Sequence, residues 1–488
     1  MYPIEFFWRA AERHSERPAI LGPETLTFRA LARRVREQGE ALVAQDPTVG
    51  ARVAIAADNT VEHLIGILAV LAAGKTWIPL NPRQGDPELA RQIAFLRPSL
   101  VLADATMADR LAAHGPRLLA DRNGSAPLPR DLRLPLHATQ AIKLTGGSTG
   151  APKGVAQPYR AWNTNVITQM AILGLSPASR YLVAAPLTHG TSTYILPVLG
   201  SGGALVFPDA PKPAGLLDAA EKHGATLFFA PPTLVFALVD EQRHEERRLS
   251  LKNLVYGGAP MRPSKIREAQ ACFGPVLCTS YGQTEAPQVI AFLPPEEMNE
   301  ATYASVGRPT FLTEVGILDK EGHVLAAGAE GEIAVRGDLL MTGYIDAPEE
   351  TARVMQDGWL RTGDAGVLDE HGYLFLRDRI RDVIITGGFN VYPSDVEAAL
   401  AKEPAIADCS VVGVPDEKWG EAVHAAIQLR PGHPLDADGL KAAIKHALGA
   451  VMTPKEFHLF PTLPRTAVGK VSKPAIREEI LRRKDKGN

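Results

Sequence analysis

Glycines, hydroxyls and one lysine crowd into the stretch Leu144-Thr145-Gly146-Gly147-Ser148-Thr149-Gly150-Ala151-Pro152-Lys153-Gly154. A polyphosphate calls for that set of groups. Glycines release the turn from side-chain clashes, so backbone N–H groups and hydroxyls can face an anion while the lysine adds a compensating charge. The apolar lead-in Ala141 to Leu144 reads as the strand that delivers this turn. Spacing excludes a Walker loop, which requires glycine, four residues and then Gly-Lys-Ser/Thr, whereas Lys153 follows Pro152 and precedes Gly154. The expected ligand is a nucleotide, ATP first. Taken alone, the same residues also make an ordinary turn between strands.

Further segments carry groups of the same kind. Tyr281-Gly282-Gln283-Thr284-Glu285 joins an aromatic face, a tight turn, a hydroxyl and a carboxylate, and Trp359-Leu360-Arg361-Thr362-Gly363-Asp364 sets an acid after a Thr-Gly turn. Gly257-Gly258-Ala259-Pro260 is another glycine turn, Arg379 to Asp382 precede Gly387-Gly388, and Pro464-Arg465-Thr466-Ala467-Val468-Gly469-Lys470 places a lone lysine on a glycine-containing loop. Each has an inert reading: Tyr281 as a core aromatic, Thr-Gly-Asp as a turn, Lys470 as a surface charge. Their company along one chain favours chemistry.

Holding such groups in place takes more than one core. At 488 residues the chain exceeds a single hydrophobic core, and 45% hydrophobic with 22% charged residues is ordinary for a globular protein. A formal charge of −3 leaves no footprint of a nucleic-acid partner. Cys272, Cys278 and Cys409 are scattered without a CxxC pair or a His/Cys cluster, which argues against a disulfide framework or a zinc site and for a reducing cytoplasm. The longest apolar run, Leu64 to Gly74, is too short for a bilayer, and Glu5, Arg9 and Glu12 interrupt any leader-like core, so neither a membrane span nor export is expected.

Helix-like and strand-like segments alternate from the start. Phe6 to His14 and Thr27 to Leu42 read as helices, Val61 to Ala73 as a helix buried on nearly every face, and Ala19 to Ile20, Arg52 to Ala56 and Thr76 to Leu80 as strands. Further short strands are expected at Ala204 to Phe207, Thr226 to Phe229 and Asn253 to Tyr256, an α/β rhythm. Asp121 to His137 reads as a surface connection, and Asp240 to Arg248 as a solvated helix end. The charged run Arg377 to Asp382 marks a boundary between a large multi-layered α/β domain, residues 1–380, and a small mobile α+β domain, residues 381–488. Within the latter, Ser394-Asp395-Val396-Glu397 is predicted to be a capping box, Cys409 to Val414 and Val423 to Leu429 strands around a turn, and Ala437 to Leu448 a helix. Arg477 to Lys486 reads as a frayed tail, too charged for a core.

With these segments in place, the chain resembles the adenylate-forming superfamily of acyl-CoA synthetases, peptide-synthetase adenylation domains and firefly luciferases, and most resembles its carboxylate–CoA ligases. The motifs follow the family's order over nearly the whole chain. The resemblance implies that a carboxylate attacks the α-phosphorus of ATP, giving an acyl-adenylate and pyrophosphate, after which the acyl group passes to coenzyme A and AMP is released. One anion must approach another, so the site must supply cations and aimed donors. By resemblance, Thr145, Ser148, Thr149 and Lys153 hold and release pyrophosphate, Thr284 touches the α-phosphate, and Glu285 holds Mg²⁺, a hard ion suited to carboxylate oxygens. Tyr281 would stack on adenine with Gly258, Ala259 and Pro260 opposite, Asp364 would accept both ribose hydroxyls, and Arg379 would contact ribose or phosphate. Lys470 is the implied catalytic cation, on a domain that rotates about a hinge at Arg381 after adenylation. Gly388 is implied to let the pantetheine arm of coenzyme A pass close to the backbone; a glycine turn before a capped helix fits it too. The chain departs from the family pattern at Gly146, where many relatives carry serine, at Arg381, often Lys or Asp, and at Asp378, which replaces a common glycine.

By position, His189, Thr191, Tyr194, Phe229, Gly257 and Pro287 would line the acyl pocket. No lysine or arginine is among them, which disfavours dicarboxylates and amino acids and leaves aromatic or medium-chain acids, with a lean towards aryl acids. Hydroxyls at Thr188, Thr191, Ser192, Thr193 and Tyr194 either bind a substituted ring or cap the apolar helix that follows. The expected partners are thus a small carboxylic acid, ATP and coenzyme A, with Mg²⁺ as cofactor, no nucleic acid, and a second copy of the chain as a further candidate. An alternative keeps the first step and loads a phosphopantetheinyl carrier protein. A non-catalytic nucleotide-binding protein is disfavoured because Thr284, Glu285, Asp364 and Lys470 are retained together.

Overall fold

The computed structural model describes residues 1–129, 131–146, 152–466 and 471–487. The architecture is mixed α/β, with a large N-terminal unit and a smaller C-terminal one. The larger comprises Met1–Val315, Ala334–Arg361 and Gly372–Leu374; the smaller comprises Gly316–Ile333, Thr362–His371 and Phe375–Asn488. A single cut after residue 380 does not register the two earlier segments that join the smaller unit.

Two sheets organise the larger unit. In one, Arg52–Ala56 pairs in parallel with both Thr76–Leu80 and Leu100–Ala103, and Thr139–Gly146 runs antiparallel to Pro152–Pro158 with Thr145 opposite Lys153. These last two strands lead into and out of the glycine-rich stretch, whose residues 147–151, including Ser148 and Thr149, lie outside the described residues. In the other, Leu227–Ala230, Asn253–Gly257 and Leu277–Tyr281 are parallel neighbours, and Gly257 stands opposite Ser280. Gly257 and Tyr281 therefore emerge together at the carboxyl edge of parallel strands, where open α/β sheets bind ligands. Helix Val61–Ala72 buries nearly every residue, and the Thr60 hydroxyl caps it by accepting the His63 N–H at 3.1 Å. Arg247, read as part of a solvated helix end, is instead buried, because Asp218, Glu241 and Glu245 converge on its guanidinium at 3.0, 3.3 and 3.1 Å.

The smaller unit centres on a long hairpin, Ile406–Asp416 against Gly420–Leu429, with Glu456–Leu459 added in parallel. Two expectations fail here. Helix Pro393–Leu400 starts at a proline, whose missing N–H suits a first helical position, and Tyr392 is its uncapped N-cap. The Ser394 amide donates to Asp378 at 2.8 Å, and the Glu397 carboxylate accepts the Val411 amide at 2.7 Å, so no capping box forms. The charged tail does not fray: it belongs to helix Lys473–Gly487, whose Ile476 and Ile480 are fully buried with Val412, Val414, Phe460 and Leu463. Two apolar residues four apart suffice to anchor an otherwise polar helix.

Candidate active site

In the larger unit, one phenol joins the residues expected to handle phosphate and metal. The Tyr344 hydroxyl donates to Glu285 Oε1 at 2.9 Å, and the Lys153 ammonium lies 5.2 Å from the centroid of the same ring. Lys153 also pairs with Glu350 at 2.5 Å, and that hydrogen bond holds the Glu350 carboxyl below the usual carboxylate range. A phosphate arriving at Lys153 thus has to displace a carboxylate. The backbone around Glu285 is pinned: Gln157 donates to the Thr284 carbonyl at 2.8 Å and Met341 N–H to the Glu285 carbonyl at 2.8 Å. Tyr281 ends its strand buried. Gly258 has φ +78°, in the left-handed region that favours glycine, and open space where a Cβ would stand, leaving room beside Ala259 and Pro260. Tyr344 carries no motif, and only its reach across the fold to Glu285 reveals it.

The acyl-side residues meet around an aromatic stack. Tyr194 stacks on Tyr181 at 5.1 Å and on Phe229 at 5.8 Å. Gln288, next to Pro287, has φ +69° and donates to the Tyr194 hydroxyl at 3.1 Å and to Ser280 Oγ at 3.4 Å. A Cβ on Gly257 would come within 3.1 Å of Phe229, and one on Gly190 within 3.2 Å of both Phe229 and Gln288. Tyr194, Phe229 and Gly257 are thus gathered, with Gln288 and Gly190 as members no spacing announced. His189 Nδ1 meets the Thr188 hydroxyl at 2.8 Å, and Thr191 is buried before helix Ser192–Gly200. Ser192 and Thr193 neither cap that helix nor stand open; their hydroxyls donate to the carbonyls of His189 and Gly190 at 2.7 and 2.6 Å. No lysine or arginine is among the residues expected to line the pocket, yet one borders this turn. Lys143 Nζ donates to Ser192 Oγ at 2.8 Å and to the His189 carbonyl at 3.3 Å.

The smaller unit holds the remaining residues. Arg379 Nε lies 2.7 Å from Asp364 Oδ1, and Asp364 sits after Gly363, whose φ of +71° suits only glycine well. The Thr362 hydroxyl donates to the Ile333 carbonyl at 2.7 Å, and the Gly363 amide donates to Glu332 at 3.0 Å, which fixes the turn. Arg381 is exposed on a single 3₁₀ turn, 3.8 Å from Asp382. Gly387 and Gly388, at φ +57° and +84°, form the two-residue turn between strands Ile384–Thr386 and Phe389–Val391. No described atom lies within 4 Å of where a Gly388 Cβ would stand, so the backbone there is open to close approach. Lys470 lies outside the described residues.

No helix among the described residues is long and apolar enough to cross a membrane. Residues 7–345 match the AMP-binding enzyme family, and residues 395–470 match the AMP-binding enzyme C-terminal domain. The chain is 34% identical to a medium/long-chain-fatty-acid–CoA ligase of Mycobacterium tuberculosis, over 96% of this chain and 88% of the relative. It is also 34% identical to a feruloyl-CoA synthase of Amycolatopsis, over 94% and 95%. The solved structure of an amide bond synthetase from Marinactinospora thermotolerans superposes with a TM-score of 0.89 at 32% identity, covering 98% of this chain and 99% of that one.

Proposed function

We propose, from the premise that the chain belongs to the AMP-binding enzyme family, that it joins a carboxylic acid to the thiol of coenzyme A while ATP is cleaved to AMP and pyrophosphate. It is a carboxylate–CoA ligase. An oxygen of the acid attacks the α-phosphorus and pyrophosphate departs; then the thiol sulfur attacks the acyl carbon and AMP departs with the bonding pair.

The observation that carries this reading is the Tyr344 phenol between Lys153 and Glu285, which sets a phosphate cation beside a carboxylate. Mg²⁺ fits that carboxylate: Glu285 is half-buried, Tyr344 orients one of its oxygens, and hard oxygen donors suit the ion. When bound, Mg²⁺ neutralises phosphate charge. Thr145, Ser148, Thr149 and Lys153 hold the outgoing pyrophosphate, Thr284 the α-phosphate, and Tyr281 the adenine against Gly258, Ala259 and Pro260. Asp364 takes the ribose hydroxyls and Arg379 orients it. Lys470 bridges acid and α-phosphate as negative charge builds, Arg381 is the hinge, and Gly388 admits the pantetheine arm. The stack of Tyr181, Tyr194 and Phe229 supports an aromatic acid over a medium-chain one. Cys272, Cys278 and Cys409 form no disulfide, which supports a cytoplasmic setting.

Likeness to the amide bond synthetase favours a second reading, in which an amine rather than a thiol intercepts the same adenylate. Pyrophosphate release measured against benzoates, cinnamates and straight-chain acids, with coenzyme A, a simple amine or a holo-carrier protein as acceptor, tests both. Acid-dependent release with an acyl-CoA product is expected; no acid-dependent release across the panel would remove the ligase reading.

A further inference from the structure

A lysine ammonium is buried in the larger unit, and no acid among the described residues stands beside it. Lys143, on strand Thr139–Gly146, is 8% exposed. Its Nζ donates to Ser192 Oγ and the His189 carbonyl and lies 5.3 and 5.4 Å from the ring centroids of Trp77 and Trp162. Among the described residues no carboxylate approaches it, and burial pushes its pKa down to about 7. Ring faces and neutral oxygens offset a buried charge only in part, and a lone buried ammonium is among the costliest groups a core can hold. A neutral donor would tie the turn to the strand equally well. Position supplies the second observation. Lys143 precedes Thr145 by two residues, so both face the same way on the strand, about 7 Å apart. Its partners Ser192 and His189 belong to the turn assigned to the acid.

We infer that Lys143 is the specificity-determining residue of the acid site, and that the acid it selects carries a second anionic oxygen at the end remote from the activated carboxylate. The inference rests on the ligase reading. An oxyanion can replace Ser192 Oγ as acceptor or take the remaining N–H, converting a lone charge into a charge-assisted pair. Stacked Tyr181, Tyr194 and Phe229 suit an aromatic spacer. A carboxylate or an ionised phenol supplies the same chemistry.

The test compares kcat/KM for pyrophosphate release with benzoate and cinnamate against their 4-carboxy and 4-hydroxy counterparts, in the wild type, Lys143→Met and Lys143→Gln. Wild type should prefer the 4-carboxy arm, the 4-hydroxy arm or both by at least about tenfold, and both variants should lose most of that ratio. A wild-type ratio at or below one overturns the inference. So does a ratio that survives in the variants while all acids decline together, the mark of a packing role. If neither variant folds, the wild-type ratio decides. Turnover of the parent acids without preference removes this inference alone; no turnover of any acid removes the ligase reading beneath it.

Discussion

Arg379 reaches Asp364 with Nε at 2.7 Å from Oδ1, while its Nη1 contacts the Thr362 carbonyl at 3.4 Å. Both were expected to meet the nucleotide, and in the structure the guanidinium fixes the carboxylate on a turn already set by Gly363. The pair is half-exposed on the arginine side, so its worth to stability is below about 1 kcal/mol, and its value lies in orientation. Asp364→Ala should raise the KM for ATP at least about tenfold, the loss of one or two hydrogen bonds to a charged acceptor. Arg379→Ala should raise it less. Steady-state kinetics with varied ATP decide; an unchanged KM in Asp364→Ala would remove the carboxylate from the nucleotide site.

Tyr344 offers a sharper separation of roles. Phenylalanine keeps the ring beneath Lys153 but removes the hydroxyl that orients Glu285. Tyr344→Phe should therefore raise the Mg²⁺ concentration for half-maximal activity by roughly 10-fold, the typical lower effect of losing a group that orients a metal ligand, with little change in thermal stability. A titration of activity against Mg²⁺ at saturating ATP reads this directly. An unaltered Mg²⁺ curve would assign the hydroxyl to packing.

How much of this was legible depended on whether a residue's role is local. Strands Arg52–Ala56 and Thr76–Leu80 and helix Ala437–Leu448 have the predicted bounds, because flanking turn residues and apolar periodicity are properties of the segment itself. The glycines at 257, 258, 363 and 388 could be flagged because a turn leaves its mark in residue type. Lys143, Tyr344 and Gln288 could not, since a lysine on a strand or a tyrosine between turns says nothing about what folds against it. Ser394 misled for the converse reason: the capping pattern was present, yet Pro393 started the helix two residues early and Asp378, 16 residues away, took the amide. Ile480 was lost among charges because its partners Val412 and Phe460 lie on distant strands and loops.

Lys143 also makes stability depend on pH with a definite sign. An unfolded lysine titrates near 10.5 and this one near about 7, so between those values the unfolded chain binds more protons than the folded one. Stability should then rise with pH across that window, by at most about 1.4 kcal/mol per unit from this group. Lys143→Met removes the buried charge and should stabilise the fold most at pH 7, the gain shrinking towards pH 9. Urea midpoints at pH 7, 8 and 9 for both proteins test it; a constant difference would mean that the folded chain keeps the amine protonated across the window, as the unfolded chain does.

Lys470→Ala separates the two half-reactions. If that lysine serves only the step in which an acid approaches the α-phosphate, pyrophosphate release should fall at least about 100-fold, the usual scale for removing one stabilising group from a transition state. A preformed acyl-adenylate should still react with coenzyme A at close to the wild-type rate. Equal loss in both assays would make the residue a general structural requirement of the loop.

Lys473, three residues further on, faces inward. Its ammonium lies 3.3 Å from both Asp378 and Glu397, the same acids that take the amides of Ser394 and Val411. Burial works against its charge, but the Glu397 and Asp378 carboxylates outweigh burial and hold the pKa above the ordinary lysine value. The triad thus ties the first turn of the last helix to helix Pro393–Leu400 and to the strand ending at Arg379. Lys473→Met would leave two half-buried acids near each other without a cation, a change that costs at most about 3–5 kcal/mol, the figure for fully buried pairs. The smaller unit should unfold at lower urea, and the loss should lessen as the pH falls, where protonation of the Glu397 carboxyl, already pushed up by burial, relieves the repulsion. Adding Asp378→Asn and Glu397→Gln to Lys473→Met should recover a large part of it. If the triple variant is no more stable than the single one, the three residues do not act as one electrostatic unit.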